Sequence, residues 1–185
     1  EWLGRMLPYG VKLVQMRIKD EDEANLASLL QDSLAQCRSH ACTMVVNDYW
    51  LIAIDIGADW VHLGQEDLDD ADLAAIRRAG IKLGVSTHDH DELDRALGLD
   101  PDYIALGPVY PTILKKMKWT EQGLDKLTEW KGLIGRLPLV GIGGMRIDRA
   151  EGVFAAGADI VSVVTDITLN DTPEARLQEW IKATR

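Results

Sequence analysis

The chain has 185 residues, 46% of them hydrophobic, and a formal net charge of −10. That size and composition suit a single compact domain, 1–185, with a buried core. The acidic balance disfavours nucleic acid and anionic lipid as partners, no apolar stretch is long enough to cross a bilayer, and nothing resembles a secretory signal peptide, although the chain does not begin with Met.

Taken in chain order, residues 1–8 read as the end of a helix. The first strand, expected over 12–17, leads into Val14-Gln15-Met16-Arg17-Ile18-Lys19. In extended backbone Gln15, Arg17 and Lys19 alternate onto one face. An amide and two cations together suit the oxygens of a phosphorylated ligand; an ion-pair network with Asp20 or Glu21 is the structural alternative. A helix is expected over 22–38. Cys37 near its end and Cys42 before the next strand read as two small buried residues of a protein kept in a reducing, cytoplasmic compartment, not as a metal site.

Strand Thr43–Asn47 ends at Asn47-Asp48, ahead of a helix over 50–56. Strand Trp60–Leu63 runs into Gly64-Gln65-Glu66-Asp67. Asp48 and Asp67 offer the hard oxygens that Mg²⁺ prefers; taken singly, Asp48 could instead cap a helix and Asp67 could be a cap or turn residue. Buried in an apolar strand, His62 reads as a core or rim histidine. A helix over 71–79 and a strand over 82–86 follow, then Thr87-His88-Asp89-His90-Asp91, which reads as the cap of a helix over 91–97.

Strand Tyr103–Leu106 opens the longest irregular stretch, 107–122, which holds Pro108, Pro111, Lys115, Lys116 and Lys118. A loop of that length serves as a mobile lid or as plain solvated surface. After a helix over 124–134, strand Leu139–Ile142 ends in Gly143-Gly144, where the absence of side chains lets backbone N–H groups approach an anion. A helix over 148–156, a strand over 160–164 ending at Thr165-Asp166, and a helix over Pro173–Ala183 complete the chain.

Apolar β-branched runs alternating with amphipathic helices predict a parallel α/β fold, either a barrel or a doubly wound sheet. Helix ends at Gly57, Gly80 and Gly157 repeat one turn signal before a strand. The polar residues favour the barrel, because they follow many different strands and a barrel gathers all strand ends at one mouth. Seven strands are legible where a TIM (β/α)8 barrel has eight, so the first strand is expected upstream of Glu1. No Ser/His/Asp or Cys/His nucleophile set and no zinc spacing stands out. Cations and separate carboxylates together suggest a metal-bound diphosphate.

Six runs in order carry a family resemblance: Gln15-Met16-Arg17-Ile18-Lys19-Asp20, Val46-Asn47-Asp48-Tyr49-Trp50, residues 61–68, residues 83–88, residues 103–112, and Val140-Gly141-Ile142-Gly143-Gly144. Over nearly its whole length the chain resembles the thiamine-phosphate synthase family. The resemblance implies a TIM barrel that joins a hydroxymethylpyrimidine diphosphate to a thiazole phosphate, with Mg²⁺ as cofactor. It implies Gln15, Arg17, Lys19 and Asn47 on the pyrimidine diphosphate, Asp48 and Asp67 on Mg²⁺, and Ser86 at the reacting pyrimidine. It further implies roles for Thr112 and Lys115 in the loop after the sixth barrel strand, and Gly144 with the backbone near Val164 and Thr165 on the thiazole phosphate. Arg17, Lys19, Ser86 and Lys115 would be the catalytic set. The expected partners are these small molecules, and a homo-oligomer is compatible with the sequence.

Two departures from the family pattern stand out. Leu114 replaces a threonine in Pro-Thr-x-Thr-Lys, and Thr165-Asp166 replaces Ser-Ala. A carboxylate at Asp166 would repel a phosphate unless it points away or caps the helix. A thiazole tautomerase-like isomerase, which would not need the metal-diphosphate half, and a non-catalytic barrel that binds a thiamine precursor are the alternative readings.

Overall fold

The computed structural model describes residues 2–19, 21–112 and 120–184. Two compact units make up the chain, Glu1–Gly84 and Val85–Arg185.

The first unit opens with α1 (Trp2–Met6) and a 3-10 turn at Leu7–Tyr9, the helix end expected there. It continues through β1 (Leu13–Met16), α2 (Glu23–Ser39), β2 (Thr43–Asn47), α3 (Trp50–Asp55), β3 (Trp60–Leu63), α4 (Asp67–Asp70) and α5 (Leu73–Arg78). Both β1–β2 and β2–β3 pair in parallel, with Gln15 beside Val45 and Asn47 beside His62. Leu26, Leu30, Leu34 and Cys37 recur at helical spacing on α2 and are all buried, so one face of the helix closes the core. Cys37 and Cys42 are free and buried, as expected. Burial raises both thiols, that of Cys42 to about 12.

Strand β4 (Lys82–Thr87) spans the boundary between the units. The second unit then runs through α6 (His90–Leu97), β5 (Tyr103–Leu106), α7 (Gly123–Ile134), β6 (Leu139–Ile142), a 3-10 turn at Ile147–Arg149, α8 (Ala150–Ala155), β7 (Ile160–Ser162), α9 (Thr165–Thr168) and α10 (Pro173–Ala183). The pairs β5–β6 and β6–β7 are also parallel. All four residues of β5 are buried, as in a strand covered on both faces. Thr87 is the fully buried polar residue of β4. Its Oγ1 donates to the Ala105 carbonyl at 3.0 Å and accepts from Trp130 Nε1 at 2.8 Å, which locks the end of β4 to β5 and α7.

The seven expected strands are the seven found among the described residues, and each α/β unit of the sequence reading has its counterpart. Gly57, Gly80 and Gly157 take positive φ at the helix ends, as expected. Most boundaries shift by a residue or two, and three of the differences have a clear physical reading. Strand β1 stops at Met16, so Arg17 and Lys19 lie beyond it and the shared face inferred from strand alternation does not extend to them. Strand β7 stops at Ser162, because the chain turns at Val164 (φ −128°, ψ −78°) into the short α9. Asp72 lies outside α5 as its N-cap, accepting from the Ala75 amide at 2.8 Å. Among the described residues no helix is long and apolar enough to cross a membrane.

Candidate functional site

In the first unit, three strand ends bring charges together. Gln15 is half-buried on β1, and the chain leaves that strand through exposed Arg17, half-buried Ile18 and exposed Lys19. Asn47 is buried at the end of β2. Asp48 follows in the left-handed region at φ 69°, a conformation for which Asp is one of the better-suited non-glycine residues. Its amide donates to the His62 carbonyl at 2.9 Å, continuing the β2–β3 ladder past the strand. The Asp48 carboxylate therefore does not cap α3, whose cap residue is Tyr49. It accepts instead from Lys19 Nζ at 2.5 Å. Asp67 opens α4 and accepts the Gly64 amide at 2.9 Å, so the turn role is real for this residue.

The electrostatics bind these residues into one cluster. The hydrogen bond to Asp48 holds the Lys19 ammonium above its ordinary pKa, against desolvation and the nearby positive charge of Arg17. Burial raises the Asp67 carboxyl, and the negative charge of Asp48 raises it further. His62 is pushed down to about 4 by burial, although Asp48 opposes the shift. Its imidazole is thus neutral near pH 7, which agrees with a buried rim histidine.

Two carboxylates close enough to repel one another, beside two cations, match what a Mg²⁺–diphosphate needs. Mg²⁺ commonly takes one or two carboxylates and completes its shell with water and phosphate oxygens. The Asp67 carboxyl is raised by burial first and by the Asp48 charge second, and a divalent cation would relieve that repulsion, so the residues fit the metal. Among the described residues no group of three or more His, Cys, Asp or Glu is placed to hold a metal ion.

In the second unit the site candidates are set mainly by backbone. Ser86 is half-buried on β4 beside the Thr87 lock. After β5 the chain continues alongside the end of β6: the Val109 amide donates to the Ile142 carbonyl at 2.9 Å, and the Tyr110 amide to the Gly143 carbonyl at 3.1 Å. This pairing explains the two glycines. Gly143 has φ 95°, and a Cβ there would lie 2.6 Å from Pro108 Cα; Gly144 has φ 64°, and a Cβ there would lie 2.5 Å from the Pro111 carbonyl oxygen and 2.7 Å from Tyr110 Cβ. In this structure it is the neighbouring segment that excludes a side chain at each position. Arg149 closes the turn from the other side, donating to the Gly144 carbonyl at 2.5 Å with its guanidinium 4.3 Å from the Tyr110 ring centre. Nothing in the sequence pattern singled out Arg149.

Thr112 is the last described residue before 113, and Leu114 and Lys115 lie outside the described residues. Val164 is exposed, and Thr165 begins α9. Asp166 resolves the conflict seen in the sequence. Its Oδ2 accepts from Trp180 Nε1 at 2.8 Å and from the Ile147 amide at 3.2 Å, and Arg176 Nε stands 3.9 Å away. The carboxylate is turned into the packing of α10 and the 3-10 turn, with its side chain only 11% exposed. His88 pairs with Glu92 and His90 with Glu129, and Asp89 caps α6, so this stretch is the helix start that the sequence suggested.

The model of one protein family, described as thiamine monophosphate synthase, matches residues 1–167. A thiamine-phosphate synthase of Rhizobium etli is 56% identical over 184 residues, covering 100% of this chain and 90% of that protein. One of Pectobacterium atrosepticum is 44% identical, covering 100% of this chain and 84% of that protein. Among solved structures, a thiamine phosphate pyrophosphorylase from Pyrococcus furiosus aligns with a TM-score of 0.86 at 25% identity, covering 99% of this chain and 88% of that one.

Proposed function

Because the chain belongs to the thiamine monophosphate synthase family, we infer that it joins 4-amino-5-hydroxymethyl-2-methylpyrimidine diphosphate to a thiazole phosphate, giving thiamine phosphate and pyrophosphate. It is a transferase of thiamine biosynthesis. The observation that carries this reading is the Lys19–Asp48 pair beside Arg17 and Asp67, a set of charges suited to a diphosphate leaving group.

The pyrimidine diphosphate lies against Gln15, Arg17, Lys19 and Asn47. Arg17 presents a planar fork to the phosphate oxygens and Lys19 a mobile point charge. Asp48 and Asp67 would hold Mg²⁺, which when bound would supply a Lewis acid for the departing pyrophosphate. In a dissociative substitution the C–O bond to the diphosphate breaks first, leaving a pyrimidinylmethyl cation, and the thiazole nitrogen then attacks that carbon. Charge neutralisation and alignment do the work, with little call on a general base. A neutral, buried His62 is in keeping with such a reaction.

Ser86 contacts the reacting pyrimidine, and Thr112 and Lys115 serve the loop after the sixth barrel strand. Gly144 and the backbone of Val164 and Thr165 take the thiazole phosphate. The inward packing of Asp166 removes the objection that its charge would repel that phosphate. The seven strands act as seven of the eight in a TIM (β/α)8 barrel and residues 1–185 as one domain, a reading supported by the likeness to the Pyrococcus furiosus structure. Buried free thiols are in keeping with a cytoplasmic enzyme.

The decisive experiment supplies both substrates and Mg²⁺ and follows thiamine phosphate and pyrophosphate together. Equal amounts of both are expected. Isomerisation of the thiazole phosphate without pyrophosphate release would assign the chain to the tautomerase reaction instead.

A further inference from the structure

The segment that carries Arg17 and Lys19 lies beyond the β1 ladder, so the strand pairing does not hold it. Another contact does. Tyr49 Oη donates to the Ile18 carbonyl at 2.9 Å, and this bond is partly buried. Ile18 stands between the two cations. Tyr49 directly follows Asp48, the partner of Lys19.

The backbone of Tyr49 is itself well anchored. Its amide donates to the Asn47 carbonyl at 2.9 Å, and the preceding Asp48 amide is bonded to the His62 carbonyl. A rigid turn after β2 therefore reaches across, through one hydroxyl, to the peptide between the two cations. We propose that Tyr49 is a positioning residue for the diphosphate clamp: its hydroxyl holds the Ile18 peptide, and with it the segment that carries Arg17 and Lys19.

Preorganisation of this kind acts on diphosphate binding and leaves the other substrate untouched. The proposal rests on the clamp reading above, and the test separates the two. Binding of inorganic pyrophosphate with saturating Mg²⁺ is measured by calorimetry on the full chain and on Tyr49→Phe, which removes one oxygen and keeps the ring. Loss of one partly buried hydrogen bond predicts about a tenfold weaker pyrophosphate affinity. The KM for the pyrimidine diphosphate is expected to rise by a similar factor, with kcat at saturation and the KM for thiazole phosphate unchanged.

A merely structural role for the hydroxyl would shift both KM values together, and that result overturns the proposal. So does unchanged pyrophosphate binding in Tyr49→Phe. Arg17→Ala in the same calorimetric assay is the control. If Arg17→Ala weakens pyrophosphate and Tyr49→Phe does not, the Tyr49 role alone is wrong. If neither does, the clamp reading falls and the Tyr49 role falls with it.

Discussion

The candidate residues of the two units are set by different means. In the first, side chains do the work: the charge of Asp48 acts on both Lys19 and Asp67, raising the pKa of each. In the second, backbone does it. Gly143 and Gly144 have no side chains to offer, and their identity is set by Pro108, Tyr110 and Pro111 pressing against them. Substitution should therefore have opposite signatures, with lost chemistry in the first unit and lost structure in the second.

The largest effect that would test this contrast is on rate. Arg17→Ala and Asp67→Ala are each expected to cost about a hundredfold or more in kcat/KM, the scale of losing one electrostatic contact to a transition state. Thermal unfolding should show both variants folded at the assay temperature; near-normal rates would remove these residues from the site. Next comes Gly144→Ala. A methyl group forced into positive φ and against Tyr110 and Pro111 should cost about 2–5 kcal/mol of stability, and lower the melting temperature by roughly 5–15 °C. An unchanged melting temperature would show that the close approach is not maintained in solution.

A smaller effect is expected at Asp166, where chemistry and structure can be told apart directly. Asp166→Ala leaves Trp180 Nε1 and the Ile147 amide without their acceptor and should cost about 1–3 kcal/mol. Thiazole phosphate affinity should not improve. A gain in affinity with no loss of stability would mean that the carboxylate faces the ligand after all.

The smallest effect concerns pH. The folded carboxyl of Asp67 is raised above its ordinary value, so the folded state holds its proton at a pH where the unfolded state has lost it. That contribution makes the metal-free protein less stable as pH rises through this window, and the deficit persists at neutral pH. Metal-free Asp67→Asn should therefore melt slightly higher than the parent at pH 7, and the gap should close below the ordinary carboxylate pKa. Added Mg²⁺ should stabilise the parent more than the variant. A gap that is independent of pH would point to packing and not charge.

How much of this the sequence disclosed follows the same contrast. Asp48 and Asp67 stood out as candidates because charged groups at strand ends are conspicuous in an apolar pattern, and the structure brings their charges within reach of each other. Gly143-Gly144 was legible as a turn but not in its cause, because the contacts with Pro108–Pro111 join residues more than thirty positions apart. The Arg149 stack on the Tyr110 ring and the Thr87–Trp130 bond were invisible for the same reason. The sequence posed the Asp166 question correctly and could not answer it, since the answer depends on where the Trp180 indole falls fourteen residues later. Strand alternation misled at Lys19, because hydrogen bonding ends at Met16 and the lysine is placed by Asp48 instead.

The positive φ of Asp48 has an evolutionary consequence. For metal affinity alone, glutamate is the nearest chemical neighbour of aspartate, but its longer side chain is poorly tolerated in left-handed backbone. Glycine would suit the backbone and surrender the carboxylate, while asparagine would suit the backbone and surrender the charge. Every single-step path away from Asp48 thus gives up either geometry or charge, and drift at this position meets a barrier from the main chain as well as from the reaction.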